Sequence, residues 1–249
     1  MRLRVVVAAS LVAAFAVGVM AGTASATQPV FYGIAEVGAV VKTPVKQAGT
    51  FGASFLEGNV SKAKITCEKG TSAGEVVGPT KATNNTATFE GCLSSELKCN
   101  SAGEPTGVIK TFKLDSVLGN LSSTLPGVRL FREGEGGKSP KTGLLAEFVC
   151  GGIATVKVKG SVVGSLSGAA GKTVEEGKTV ASGKLTLAQS GGIQKYTKFL
   201  TGECGGNAND CGPEQLESNT NGGEFEKGGQ SQIVTLKTVP FPYKLGVTK

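Results

Sequence analysis

The sequence predicts an all-β protein, an antiparallel β-sandwich or a related β-barrel braced by disulfide bridges. Three observations carry that prediction. Nine short runs alternate apolar with polar residues, are rich in Val, Ile, Thr and Phe, and are bounded by Gly, Asn, Ser or Pro, the pattern of half-buried strands closed by turns. No segment places apolar residues at helical spacing. Six cysteines, an even number, follow an export-type N-terminus, which is how a disulfide framework is written.

Taken in chain order, residues 1–26 read as a signal peptide. Arg2 and Arg4 precede an apolar run from Val5 to Met20, and Ala24-Ser25-Ala26 offers small residues for cleavage. The alternative is an uncleaved anchor, because the run approaches the roughly 20 residues that span a bilayer. Its small residues and A-x-A ending favour removal. Cleavage leaves 223 of 249 residues and lowers the net charge from +7 to +5, with 24 basic side chains against 19 acidic. No later stretch is long and apolar enough to cross a membrane, so the mature chain is expected free of the bilayer.

Residues 27–48 are expected to form an irregular arm and 49–249 a single β-rich domain, long enough to bury a sizeable core. Strands are expected over 50–56, 63–68, 86–91, 106–114, 127–131, 144–150, 153–164, 181–188 and 232–239. In 63–68, Ala63, Ile65 and Cys67 share one side; in 144–150, Leu144, Ala146, Phe148 and Cys150 do so while Glu147 faces away. Ala154, Val156 and Val158 alternate with Thr155, Lys157 and Lys159, one buried face against one wet face. Asn221-Gly222 predicts a primed hairpin turn. The Gly-rich polar segments 132–143, 166–180 and 202–223 read as surface loops. The repeated Ser-Ala-Gly at 72–74 and 101–103 is expected to be one turn chemistry used twice, with glycine at positive φ. Nine such strands without helices favour two packed sheets or a barrel.

The cysteines stand at Cys67, Cys92, Cys99, Cys150, Cys204 and Cys211. Cys92–Cys99 and Cys204–Cys211 enclose equal six-residue polar gaps, so local closure of both is the simplest pairing, which leaves Cys67 for Cys150. A zinc cluster is the rival, but such sites use C-x₂₋₄-C pairs and often histidine. Histidine is absent from the chain, which removes the commonest general base and metal ligand. No metal and no cofactor are therefore expected. The lysines are scattered and aromatic residues make up 6%, so a nucleic-acid groove is unsupported; the mild basicity suits solubility or attraction to an anionic envelope polymer.

Several motifs resemble chemistry and fail on context. GEGGKS (134–139) and GAAGKT (168–173) carry the GK[ST] end of a phosphate-binding loop, but Arg132 and Leu166 stand where its first glycine belongs. Lys141-Thr142-Gly143 with Ser61-x-x-Lys64 and Ser95-x-x-Lys98 are fragments of the penicillin-binding set, which works without histidine. The intermediate S-x-N element and the helix for the nucleophile are missing. Glu133 and Glu135 share a strand face and could serve glycoside hydrolysis if suitably spaced across a cleft; Glu175 and Glu176 would face opposite ways. NANDCG (207–212) has a faint calcium-loop look but places Ser218 where a bidentate glutamate is required. Asn59, Asn84 and Asn120 are glycosylation sequons for a host that uses them.

The segments KITC (64–67), FEGC (89–92), CNSAG (99–103), AEFVC (146–150) and VKGSVVG (158–164), behind a signal peptide, resemble an uncharacterised group of secreted β-rich proteins of high-GC Gram-positive bacteria, over residues 50–165. The resemblance implies a compartment and no activity. The expected function is accordingly a non-enzymatic secreted or cell-envelope module that binds an anionic polymer or a protein partner through its surface. The alternatives are a glycan-active hydrolase using Glu133 and Glu135, and a protease inhibitor presenting a bridged loop over 92–99.

Overall fold

Alternation builds strands and nothing else: the computed structural model is all-β, and it describes residues 31–33, 44–78, 80–136, 141–168, 182–202, 213–239 and 245–247. In chain order the strands are β1 (Phe31–Gly33), β2 (Val45–Phe51), β3 (Ser54–Gly58), β4 (Lys64–Cys67), β5 (Lys69–Val76), β6 (Lys81–Glu90) and β7 (Leu93–Ser94). Then come β8 (Leu97–Asn100), β9 (Val108–Lys110), β10 (Leu114–Asn120), β11 (Pro126–Arg132), β12 (Leu144–Cys150), β13 (Ala154–Gly168) and β14 (Ser182–Leu187). The last are β15 (Gln189–Ser190), β16 (Ile193–Gln194), β17 (Thr201–Gly202), β18 (Leu216–Thr220), β19 (Glu226–Val239) and β20 (Leu245–Val247). The signal-like segment 1–26, Cys204, Cys211, Glu175, Glu176, NANDCG and most of GAAGKT lie outside the described residues.

The antiparallel ladders close on themselves. One ring runs β2–β5–β6–β10–β11–β13–β14–β19 and back to β2. A second runs β3–β4–β7–β8–β12–β13–β18–β19 and back to β3. The two long strands belong to both: β13 pairs β12 and β18 through its first half and β11 and β14 through its second. The rings therefore stack end to end as one tall eight-stave barrel, in which β2 and β3, β5 and β4, β6 and β7, and β11 and β12 are upper and lower parts of single staves. Among the described residues each strand of the two rings has a ladder partner on both sides, which reduces the unpaired edge that could template aggregation. The staves bend where the rings meet. Gly160, at φ +97° in the middle of β13, sits where any Cβ would collide with the Gln215 carbonyl.

Alternation sets the faces. Inside the first ring lie Phe51, Val76, Leu118, Val128, Val162, Leu166, Leu185 and Val234; inside the second, Leu56, Ile65, Phe148, Val156, Val158 and Leu216 with the four described cysteines. A third cluster, Val117, Phe131, Val163 and Phe199, lies on the outer wall, where residues 193–200 run as a strap over β10, β11 and β13. The strap is tied by Gln194, whose side-chain oxygen accepts the Val163 N–H, and by the Leu200 N–H, which donates to the Asn120 carbonyl.

Several expectations need correction. The run 50–56 breaks at Gly52-Ala53 between β2 and β3, and 106–114 breaks between β9 and β10. Barrel residues begin at Val45, four positions before the domain start expected at 49. The first Ser-Ala-Gly copy is not a turn: Ser72, Ala73 and Gly74 lie within β5, and Gly74 is needed because the Asn85 side chain occupies the space a Cβ would take. Only the second copy turns, with Gly103 at φ +78°. The segment 202–223 is not wholly loop, since 216–220 is a stave and Glu214 is only 1% exposed. Asn221-Gly222 does form the primed turn, both residues at positive φ, although the β18–β19 ladder closes only from Ser218 opposite Glu226.

The cysteine pairing is also corrected: the bridges are Cys67–Cys92 and Cys99–Cys150. Register explains it. Thr66 opposite Leu93 puts Cys67 beside Cys92, the Cys99 N–H donates to the Cys92 carbonyl, and Cys99 is the ladder partner of Cys150. The four thiols thus form one lateral row. Pairing the inner two would strand the outer two three inter-strand gaps apart, about 14 Å, twice the roughly 7 Å reach of a disulfide. Only the neighbour-by-neighbour pairing satisfies all four.

Candidate functional site

An eight-stave barrel has an interior just wide enough to be filled by side chains or to hold one small ligand. Here it is not filled. A cavity of about 210 Å³ runs through the junction of the two rings, lined by Leu56, Phe89, Leu114, Leu130, Phe148 and Val162 among other apolar side chains from nearly every stave. Small inward residues leave the room: Ser72, Ala87, Ser116 and Ala146 stand where leucines would close it.

No Asp, Glu, Lys or Arg lines the cavity among the described residues. Five of the polar side chains that line it are hydrogen-bonded to one another. Gln47 donates to the Asn85 side-chain oxygen at 3.2 Å, and Asn85 donates to the Leu114 carbonyl at 3.1 Å and to the Ser116 hydroxyl at 3.4 Å. Gln230 donates to Gln232 at 3.2 Å. Ser54 differs: 3% exposed and facing the cavity from the start of β3, its Oγ has no hydrogen-bond partner among the described residues. Sequence reasoning missed it, although the signal was present in SFLEG, where a serine occupies the inward parity of Leu56.

The residues singled out as chemistry lie elsewhere and are not brought together. Glu133 is exposed in the β11–β12 connection, while the Glu135 carboxylate accepts the N–H groups of Thr142 at 3.0 Å and Gly143 at 2.7 Å and so caps that connection. Ser61 donates its hydroxyl to Glu226, and the N–H groups of Val60 and Ser61 add bonds of 2.5 and 2.9 Å to the same carboxylate. Burial pushes the Glu226 pKa up, but these donors and nearby Lys62 outweigh it and hold the carboxyl below its ordinary value. Lys64 lies 4.1 Å from the Phe55 ring, and Ser95 sits in the β7–β8 turn at φ +44°. Lys141 is buried, donates to the Gly136 carbonyl and stacks 4.5 Å from the Phe131 ring. Burial first, and Arg129 second, depress its pKa. Residues 92–99 form a wall hairpin whose cysteines bond outward to Cys67 and Cys150, so the closed loop expected for an inhibitor is not formed. Asn120 is 1% exposed in β10, beyond the reach of a glycosylating enzyme in the folded chain.

Polar density is greatest on the outer wall beneath the strap. Arg129 and Glu214, each 1% exposed, form an ion pair at 2.5 Å, and Ser161 donates its hydroxyl to Glu214. The pair joins β11 to the segment entering β18 and fastens the strap region to the barrel. Among the described residues no group of acidic, histidine or cysteine side chains could hold a metal ion, and no helix is long and apolar enough to cross a membrane. No family model, curated protein or solved structure matches the chain. Function must therefore be argued from the site itself.

Proposed function

We propose that this protein is an exported, non-enzymatic carrier that holds a small apolar molecule inside its barrel. The supporting observation is the unfilled, uncharged lumen of about 210 Å³ within an otherwise closely packed core. Space of that size left unpacked by side chains forgoes up to about 5 kcal/mol at roughly 24 cal/mol per Å³ of enclosed cavity, a large share of the stability of a single domain. A chain that leaves Ala and Ser at inward positions forgoes stabilisation that a few leucines would supply. Occupancy by a ligand recovers it. Since a cavity of about 150 Å³ accommodates benzene, this one suits a molecule of about eight non-hydrogen atoms.

The two described disulfides suit an oxidising compartment, in keeping with export directed by residues 1–26. Surface binding of an anionic polymer or a protein partner has less support. Four outward lysines are matched by carboxylates, at Lys69–Glu90, Lys110–Glu104, Lys157–Glu147 and Lys159–Glu217. Calorimetric titration of the mature protein with straight-chain alcohols of about four to twelve carbons tests the carrier reading. Affinity is expected to rise by about 0.8 kcal/mol per carbon to an optimum near eight and then fall. Absence of saturable binding across the series would refute it.

A further inference from the structure

Building on the lumen reading above, we propose that the bound molecule is a neutral amphiphile, an apolar body carrying a single hydroxyl or carbonyl oxygen, and that Ser54 anchors that oxygen. Three buried polar side chains line the cavity among the described residues: Ser54, Ser116 and Gln232. Ser116 is engaged by Asn85 and Gln232 by Gln230. Among the described residues Ser54 is engaged by nothing: its ladder partner Cys67 has its sulfur committed to Cys92 and offers only a weak acceptor. A buried hydroxyl without a partner is destabilising, and an alanine there would avoid the penalty. Its retention on the cavity wall is explained if a ligand atom completes it. Ser54 can donate to a carbonyl or exchange one bond with a hydroxyl, and the rest of the described lining is uncharged and mostly apolar.

The charge of the ligand follows from the same lining. With no basic side chain on the wall among the described residues, an ionised carboxylate would enter without a counter-charge and lose its hydration, a penalty far larger than any gain from Ser54. A cation fares no better, since among the described residues no carboxylate faces the lumen. Selection against charge is thus built into the described wall, and the buried, unpartnered Ser54 hydroxyl favours an oxygen.

The experiment compares three probes, an alcohol of about eight carbons, toluene as a hydrocarbon of similar bulk, and the matching carboxylate at about pH 8, where it is ionised. Each is titrated calorimetrically into the mature protein and into Ser54→Ala and Ser54→Thr. The alcohol is expected to bind, with the carboxylate weaker by at least about 100-fold. Ser54→Ala should weaken the alcohol about fivefold and leave toluene unchanged, while Ser54→Thr, which keeps the hydroxyl, restores most of the loss. Carboxylate binding as tight as the alcohol, or a Ser54→Ala effect that is absent or equal for alcohol and toluene, overturns the neutral-amphiphile inference and leaves the carrier reading standing. Failure of all three probes to saturate removes both.

Discussion

Filling the lumen separates a functional cavity from a packed interior by the sign of one measurement. Ala146 projects into the cavity from β12, 7% exposed and opposite Val158. Ala146→Leu adds three carbons, about 75 Å³ on the scale set by benzene in a cavity of about 150 Å³, or about a third of the available space. Burying those carbons stabilises by about 2.4 kcal/mol, offset by about 0.5–1 kcal/mol of leucine rotamer entropy, for a net gain of about 1.5 kcal/mol. With a urea slope of about 3 kcal/mol/M, the unfolding midpoint should rise by about 0.5 M. The same carbons take the place of part of the ligand, so an alcohol of about eight carbons should bind about 50-fold more weakly and the preferred chain should shorten by about three carbons. If the interior is already full, the added carbons overpack it and cost about 1–3 kcal/mol. A midpoint that falls, with the chain-length preference unmoved, would refute the reasoning.

The remaining predictions concern what holds the barrel. Glu214→Ala leaves Arg129 buried beside a lost partner and should cost about 3–5 kcal/mol in urea unfolding, whereas the double change Arg129→Met with Glu214→Leu should recover most of that loss. Non-reducing peptide mapping should recover Cys67 linked to Cys92 and Cys99 linked to Cys150; removing the second bridge by Cys99→Ala with Cys150→Ala should cost about 4 kcal/mol on the chain-entropy model for its 51-residue separation, against about 3.5 kcal/mol for the 25-residue one. The folded-state pKa of Glu226 lies below its unfolded value, so its contribution is complete above the unfolded carboxyl range and is lost as pH falls through the folded value. Glu226→Gln should therefore flatten the acid limb of the stability profile and leave its shape near neutral pH unchanged.

Local alternation made much of this fold readable from residues alone. The stave 144–150 and the faces of 154–159 follow from a period of two that does not depend on what lies across the sheet. The primed turn at Asn221-Gly222 follows from residue chemistry that tolerates positive φ. Where the pattern failed, a neighbour was supplying the reason. In β5 the inward positions before Val76 are Gly70, Ser72 and Gly74, small because Phe51 and Asn85 lie across the backbone, so only the last residue of the strand carries an apolar signal. In 214–219 every residue but Leu216 is polar, and the buried Glu214 is satisfied by Arg129 and Ser161 of the barrel wall, which the local sequence does not show.

Sequence by itself thus determined the all-β class, the inward parity of Ile65, Cys67, Phe148 and Cys150, and the absence of histidine chemistry. Tertiary structure decided the rest: that the staves close into a ring, that four thiols stand in one row and pair with their neighbours, and that Ser54 faces an uncharged space. The physical reason is range. Side-chain alternation and turn geometry are properties of a few consecutive residues, whereas closure, bridge partners and an unfilled volume depend on which distant strands share a ladder, and that register is fixed only when the whole barrel forms.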